Sequence, residues 1–248
     1  MRPFIPCRKC VGKPGPKPGY YYDMLDGFQV IIECDCHKKR KAQVEFERNL
    51  KISNINPDYE FKDYVGSKSI KDCKALEFMA DHYEKFNYKT MVYLWGKNGC
   101  QKTSMVQTLG KQLISKGYTV QYTLMSDLLN ALVKEFEDEN SSKKEAFIKR
   151  CMNVDLLIVD ESFDSRKVTI YKSGYQIPYL DNFIRNRFEI EKKSIIFVSN
   201  KKPNEIEEQG FGLSVQNLVE RNTTQSFLKF EDEYIKSRGV PDRMGIFR

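Results

Sequence analysis

The stretch Gly96-Lys-Asn98-Gly99-Cys100-Gln101-Lys102-Thr103 follows five apolar residues, Met91 to Trp95, and opens a run of helix-forming ones. A glycine-bearing turn between a strand and a helix aims backbone amides and the helix N-terminus at one point, which suits phosphate oxygens. Gly96, Asn98, Gly99, Cys100 and Gln101 would form that cradle. In this setting the Lys102 ammonium is placed to meet the β and γ oxygens of ATP, and the Thr103 hydroxyl to ligate Mg2+. One position departs from the phosphate-loop pattern. Gln101 stands where the pattern G-x-x-x-x-G-K-[ST] has glycine, and a side chain there strains the backbone or crowds the phosphates.

Leu156-Leu-Ile-Val-Asp160-Glu161 is an apolar strand that ends in two carboxylates. Open α/β sheets bind ligands outside the carboxyl ends of their strands, so both acids emerge where the phosphate loop also opens. Asp160 is expected to hold Mg2+ through water, and Glu161 to act as general base on the attacking water. Ile195-Ile-Phe-Val-Ser199-Asn200 is a second buried strand with a polar end. Asn200 is the candidate for positioning that water, with a turn-stabilising role as its alternative. Arg221 closes the amphipathic run Leu213 to Arg221; it is either a cation that stabilises transferring phosphate charge or a solvated helix-end cation.

Seven cysteines are present, and four of them fall in two tight pairs, Cys7-x2-Cys10 and Cys34-x-Cys36. Four thiolates suffice for one tetrahedral Zn2+, and a module of ~40 residues can hardly hold a core without such a tie. His37, three residues after Cys34, competes for the fourth place. A redox role for C-x2-C is disfavoured, because the βαβ pattern that accompanies one begins far downstream.

These groups need a scaffold, and the remaining sequence supplies it. Strand-length apolar runs alternate with amphipathic segments. Strands are expected at Met91–Trp95, Thr119–Leu124, Leu156–Asp160, Ile195–Ser199 and Ser226–Phe230. Helices are expected at Ile70–Phe86, Lys102–Lys116, within Ser126–Glu137, at Lys143–Cys151, Tyr179–Glu191 and Ser214–Arg221. This makes an α/β fold around a five-stranded parallel sheet. Gly12-Lys-Pro-Gly-Pro-Lys-Pro-Gly19 marks residues 1–40 as a small loop-rich module. Residues 41–58 are read as a linker and 59–248 as the nucleotide-binding domain.

A chain of 248 residues with 40% hydrophobic content, 16 Phe and 14 Tyr is too apolar for a disordered protein. No apolar run approaches the ~20 residues of a bilayer span, and the opening residues lack a signal peptide's apolar core. Membrane association is therefore not expected, and a cytoplasmic location is. The net charge of +7 is compatible with a polyanionic partner. The basic run His37-Lys-Lys-Arg-Lys41 and the stretch from Phe163 to Lys172 are candidate nucleic-acid contacts, each with a solvated face or loop as its alternative.

Taken together, Gly96 to Thr103, Asn153 to Glu161, Ser194 to Asn200 and Leu218-Val-Glu-Arg221 resemble the AAA+ ATPases. More narrowly, the chain resembles the DnaC/DnaI-type replicative helicase loaders, phage-encoded ones included, and the related IstB transposition ATPases. The similarity runs from about Ile52 to Phe230. Asn54 to Tyr64 and Asp181 to Glu189 also look like segments that family carries. The resemblance implies an AAA+ P-loop core, ATP hydrolysis, and self-association on single-stranded DNA to deliver a ring-shaped replicative helicase in a bacterial or phage-infected cell. It also implies that Arg221 reaches the ATP of a neighbouring subunit. Glu161 departs from the second Asp of many loaders but keeps a carboxylate. Two other readings stay open: an IstB-like ATPase acting on duplex DNA, and an adaptor that uses nucleotide as a switch without turnover.

Overall fold

A computed structural model describes residues 7–12, 15–63, 71–85, 90–99, 101–133, 141–170, 174–223 and 227–229. It divides into two compact units, Met1–Lys51 and Ile52–Arg248. The first contains a short helix α1 (Arg8–Gly12), an antiparallel hairpin of β1 (Tyr20–Leu25) and β2 (Phe28–Glu33), and all but the last residue of α2 (Asp35–Ile52). The loop-rich reading of this module therefore needs correction. Asp26 and Gly27 both adopt positive φ, 50° and 83°, the backbone that a two-residue turn needs to match the twist of its strands. The first part of the stretch read as a linker, residues 41–58, lies on α2, one eighteen-residue helix.

The second unit holds α3 (Lys71–Asp81), β3 (Met91–Trp95), α4 (Lys102–Ser115), β4 (Val120–Leu124), α5 (Met125–Leu132) and α6 (Ser141–Asn153). They are followed by β5 (Leu156–Asp160), α7 (Gln176–Arg185), β6 (Ser194–Ser199), α8 (Leu213–Thr223) and β7 (Phe227–Lys229). The sheet order is β4-β5-β6-β3-β7 and every pairing is parallel. Four strands make up its body, and the three residues of β7 add a fifth along β3. Every residue of β5 and β6 is buried, as expected for strands covered by helices on both faces. Ile70, Phe86, residues 134–137, Ser226 and Phe230, expected in helix or strand, lie outside the described residues, as do Tyr171 and Lys172 of the candidate nucleic-acid stretch.

Two local features set the distances at the site. On α4, a Cβ at Gly110 would lie 2.9 Å from Ile55 Cδ1 and 3.4 Å from Val120 Cγ1, so glycine lets the helix lie close against the sheet. Gly117, at φ 91°, ends the same helix, with the Tyr118 amide donating back to the Leu113 carbonyl. On the other face, Tyr93, Phe163, Phe197 and Phe211 stack and tilt against one another in the core. Phe163 is fully buried there. It is thus unavailable for base stacking, and Arg166 in the same stretch is bound to Asp164 at 2.9 Å. No helix among the described residues is long and apolar enough to cross a membrane.

α7 runs on into a wider π-type turn, Asn186–Ile190, which turns Arg187 into the interior. Its guanidinium donates to the carbonyls of Cys151, Met152, Val154 and Ser194 at 2.6 to 3.0 Å. It ties the end of α6 and the start of β6 together. Burial lowers its pKa to about 10, and the helix-end carbonyls favour a cation there.

Candidate functional site

β3, β6 and β5 lie side by side in the sheet. Their carboxyl ends bring the loop after β3, Asn200 after β6, and Asp160 at the end of β5 to one edge. Lys102, the first residue of α4, is only 7% exposed. Its Nζ donates to the Gly96 carbonyl at 2.8 Å, the Lys97 carbonyl at 2.9 Å and Asn200 Oδ1 at 3.1 Å. The next residue, Thr103, donates its hydroxyl to Asp160 Oδ2 at 2.6 Å. Lys102, Thr103, Asp160 and Asn200 therefore form one constellation.

Asp160 is buried and held at both oxygens. Its Oδ1 accepts the Glu161 amide at 2.7 Å, and its Oδ2 accepts the Tyr122 hydroxyl at 2.8 Å as well as that of Thr103. Burial, reinforced by the Asp160 charge, pushes the Tyr122 phenol well above its ordinary pKa. Tyr122 was not among the residues expected at the site. The only sequence signal for it is its place on the same face of a strand as Val120 and Leu124, because the acid it meets belongs to a neighbouring strand.

Glu161 sits at φ 51° and pairs with Lys167 at 3.2 Å. Ser199 supports the turn after β5, donating to the Ser162 carbonyl at 2.6 Å. Asn98 and Gly99 are exposed on the loop, where Gly99 takes φ 84°, and Cys100 lies outside the described residues. Gln101 adopts φ 65°, ψ 18° at the N-cap of α4, a left-handed conformation that costs a residue with a Cβ roughly 1–2 kcal/mol. Arg221 stands apart from this group. It bonds Glu189 at 2.7 Å and lines a surface cavity with Arg185, Asn217, Leu218 and Glu220.

In the first unit, the sulfurs of Cys7, Cys10, Cys34 and Cys36 all lie within 4.8 Å of one another. Cys7 to Cys10 is 3.6 Å, Cys7 to Cys34 3.5 Å and Cys10 to Cys36 3.2 Å. Four thiolates at ~2.3 Å from a tetrahedral zinc would be roughly 3.8 Å apart, so the set is near that geometry. The Cys10 amide, helped by the Cys34 and Cys10 thiols, draws the Cys7 thiol down to about 6. Within the same cluster the Cys34 thiol, with burial, raises that of Cys10. His37 lies outside the sulfur cluster, its Nδ1 2.7 Å from Glu33 Oε1.

An open parallel sheet with a lysine-threonine helix start, an acid-ending strand beside it and a polar strand end between them defines a P-loop ATPase fold of the AAA+ class. The family model for the bacterial DnaA ATPase domain matches residues 55–216, well over half the chain, and the protein belongs to that family. The chromosomal replication initiator protein DnaA of Latilactobacillus sakei subsp. sakei is 29% identical over 159 residues, covering 63% of this chain and 33% of that relative. The chain spans 33% to 43% of the length of the curated relatives it matches first.

Among solved structures, replication initiator DnaA bound to AMPPCP and single-stranded DNA aligns with a TM-score of 0.54 at 18% identity. That alignment covers 76% of this chain and 58% of the other. The DnaC helicase loader aligns with a TM-score of 0.50 at 15% identity, over 64% of this chain and 88% of the loader. The sequence family is thus the initiator's, and the loaders are neighbours in fold.

Proposed function

We propose that this chain is a Mg·ATP-dependent ATPase of DNA replication that self-associates on single-stranded DNA and delivers a ring-shaped replicative helicase. The observation that carries the reading is the constellation of Lys102, Thr103, Asp160 and Asn200 in a chain of the DnaA ATPase-domain family. A buried ammonium on neutral oxygens beside a hydroxyl–carboxylate pair is a donor set that fits a magnesium triphosphate. When bound, Mg2+ would neutralise charge on the β and γ oxygens.

The protein's own residues divide the remaining work. Lys102 exchanges the Gly96 and Lys97 carbonyls for phosphate oxygens, and the loop amides from Gly96 to Gln101 cradle the rest. Thr103 and Asp160 hold the metal. Asn200 orients the attacking water, and Glu161, released from Lys167, accepts its proton. Arg221, held by Glu189 on the exposed face of α8, reaches the ATP of a neighbouring copy. Cys7, Cys10, Cys34 and Cys36 bind one Zn2+, which supplies the folding energy of the first unit.

Gln101 favours a second reading, an adaptor that binds nucleotide and does not turn it over, because its left-handed backbone carries a side chain where the phosphates approach. ATP hydrolysis with and without single-stranded DNA separates the two. Turnover that single strands stimulate more than duplex, and that falls at least ~100-fold in Lys102→Ala, supports the ATPase. Binding without turnover supports the adaptor.

A further inference from the structure

Three groups converge on Asp160, and only one of them, the Thr103 hydroxyl, belongs to the phosphate loop and its helix. The Tyr122 hydroxyl donates to the same oxygen, Oδ2, from the neighbouring strand β4 at 2.8 Å. Tyr122 is itself fixed from behind. Its amide donates to the Ser53 carbonyl at 2.9 Å, and the Gln107 side chain lies close enough to draw the phenol's pKa down against its burial. Gln107 in turn accepts the Asn56 amide on its Oε1 at 3.0 Å. Tyr122, Gln107 and Asp160 are all buried. Tyr122 is thus held through its backbone by the segment preceding the nucleotide-binding core and reaches from β4 to the carboxylate.

We propose that Tyr122 is a positioning residue for the metal-holding carboxylate, a role that rests on the ATPase reading of the site. When the Thr103 hydroxyl turns to ligate the ion, Oδ2 loses the closer of its two donors. Tyr122 then remains as the side-chain hydroxyl that keeps the carboxylate plane from rotating about its terminal bond. Outer partners of metal-holding groups act in this way, and their removal typically weakens metal binding ~10–100-fold.

The test is a magnesium titration of the full chain with a fluorescent, non-hydrolysable ATP analogue, read as nucleotide binding. In Tyr122→Phe, which removes one oxygen and keeps the ring, the half-saturating Mg2+ concentration should rise about tenfold. Analogue affinity in EDTA should stay as in the wild type. Tyr122→Leu, which removes the hydroxyl with the ring, should raise the same concentration by at least that factor, and it serves as the test on its own if Tyr122→Phe fails to fold. An unchanged magnesium dependence in a folded variant, with melting temperature shifted or not, overturns the role and leaves Tyr122 as packing. Absence of magnesium-dependent binding in the wild type instead overturns the ATPase reading itself.

Discussion

Gln101 carries the sharpest conflict at the scale of single residues. Its φ of 65° places a Cβ in a conformation that glycine adopts freely. Gln101→Gly should remove that strain while adding entropy to the unfolded chain, for a net gain of up to about 1 kcal/mol. For a domain of this size that is a rise of roughly 2–4 °C in melting temperature. ATP affinity should tighten in the same variant. A calorimetric melt and a nucleotide titration check both, and a lower melting temperature with weaker binding would mean that the Gln101 side chain serves the site.

This conflict was legible in the sequence because it depends on residue type at a fixed place in a motif. The contacts of Tyr122 were not, because they depend on which strand lies beside which, and in what register. Phe163 was misread for a related reason. Glu161 and Phe163 both take positive φ around Ser162, so the chain doubles back and puts the ring under the sheet, where no periodic pattern signals it.

At the scale of elements, the four body strands were legible because burial on both faces demands continuous Val, Ile, Leu and Phe, as in Leu156–Asp160 and Ser194–Ser199. The hairpin at Tyr20–Glu33 escaped because its apolar residues do not alternate cleanly: Met24, Phe28 and Ile31 are exposed. Its one clear signal was Asp26-Gly27. The helix ends differ by a few residues from expectation, and the π-type turn after α7 has a tertiary cause in the four carbonyls that Arg187 serves. Arg187→Met leaves those buried acceptors without their charged donor and should destabilise the second unit by about 3–5 kcal/mol. A urea titration measures it, and a loss below ~1 kcal/mol would show that the carbonyls find other partners.

At the scale of the molecule, the proposed function assigns a different ligand to each of the two units, and their stabilities should respond accordingly. Treatment with a strong zinc chelator should unfold the first unit and leave the melting transition of the second in place. Elemental analysis should find one zinc per chain, lost in Cys7→Ser combined with Cys10→Ser. A wild-type first unit that is folded and metal-free would contradict the site. For the second unit, magnesium and ATP are the expected stabilisers, with assembly as their consequence.

Sedimentation of the full chain on a single-stranded oligonucleotide, with and without Mg·ATP, tests the central claim most directly. The account predicts assemblies larger than one copy only when ATP and single strands are both present. It further predicts their loss in Lys102→Ala, which cannot hold nucleotide, and in Arg221→Ala, which can hold it and cannot reach a neighbour's. Assembly that ignores ATP, or that survives both substitutions, would contradict it.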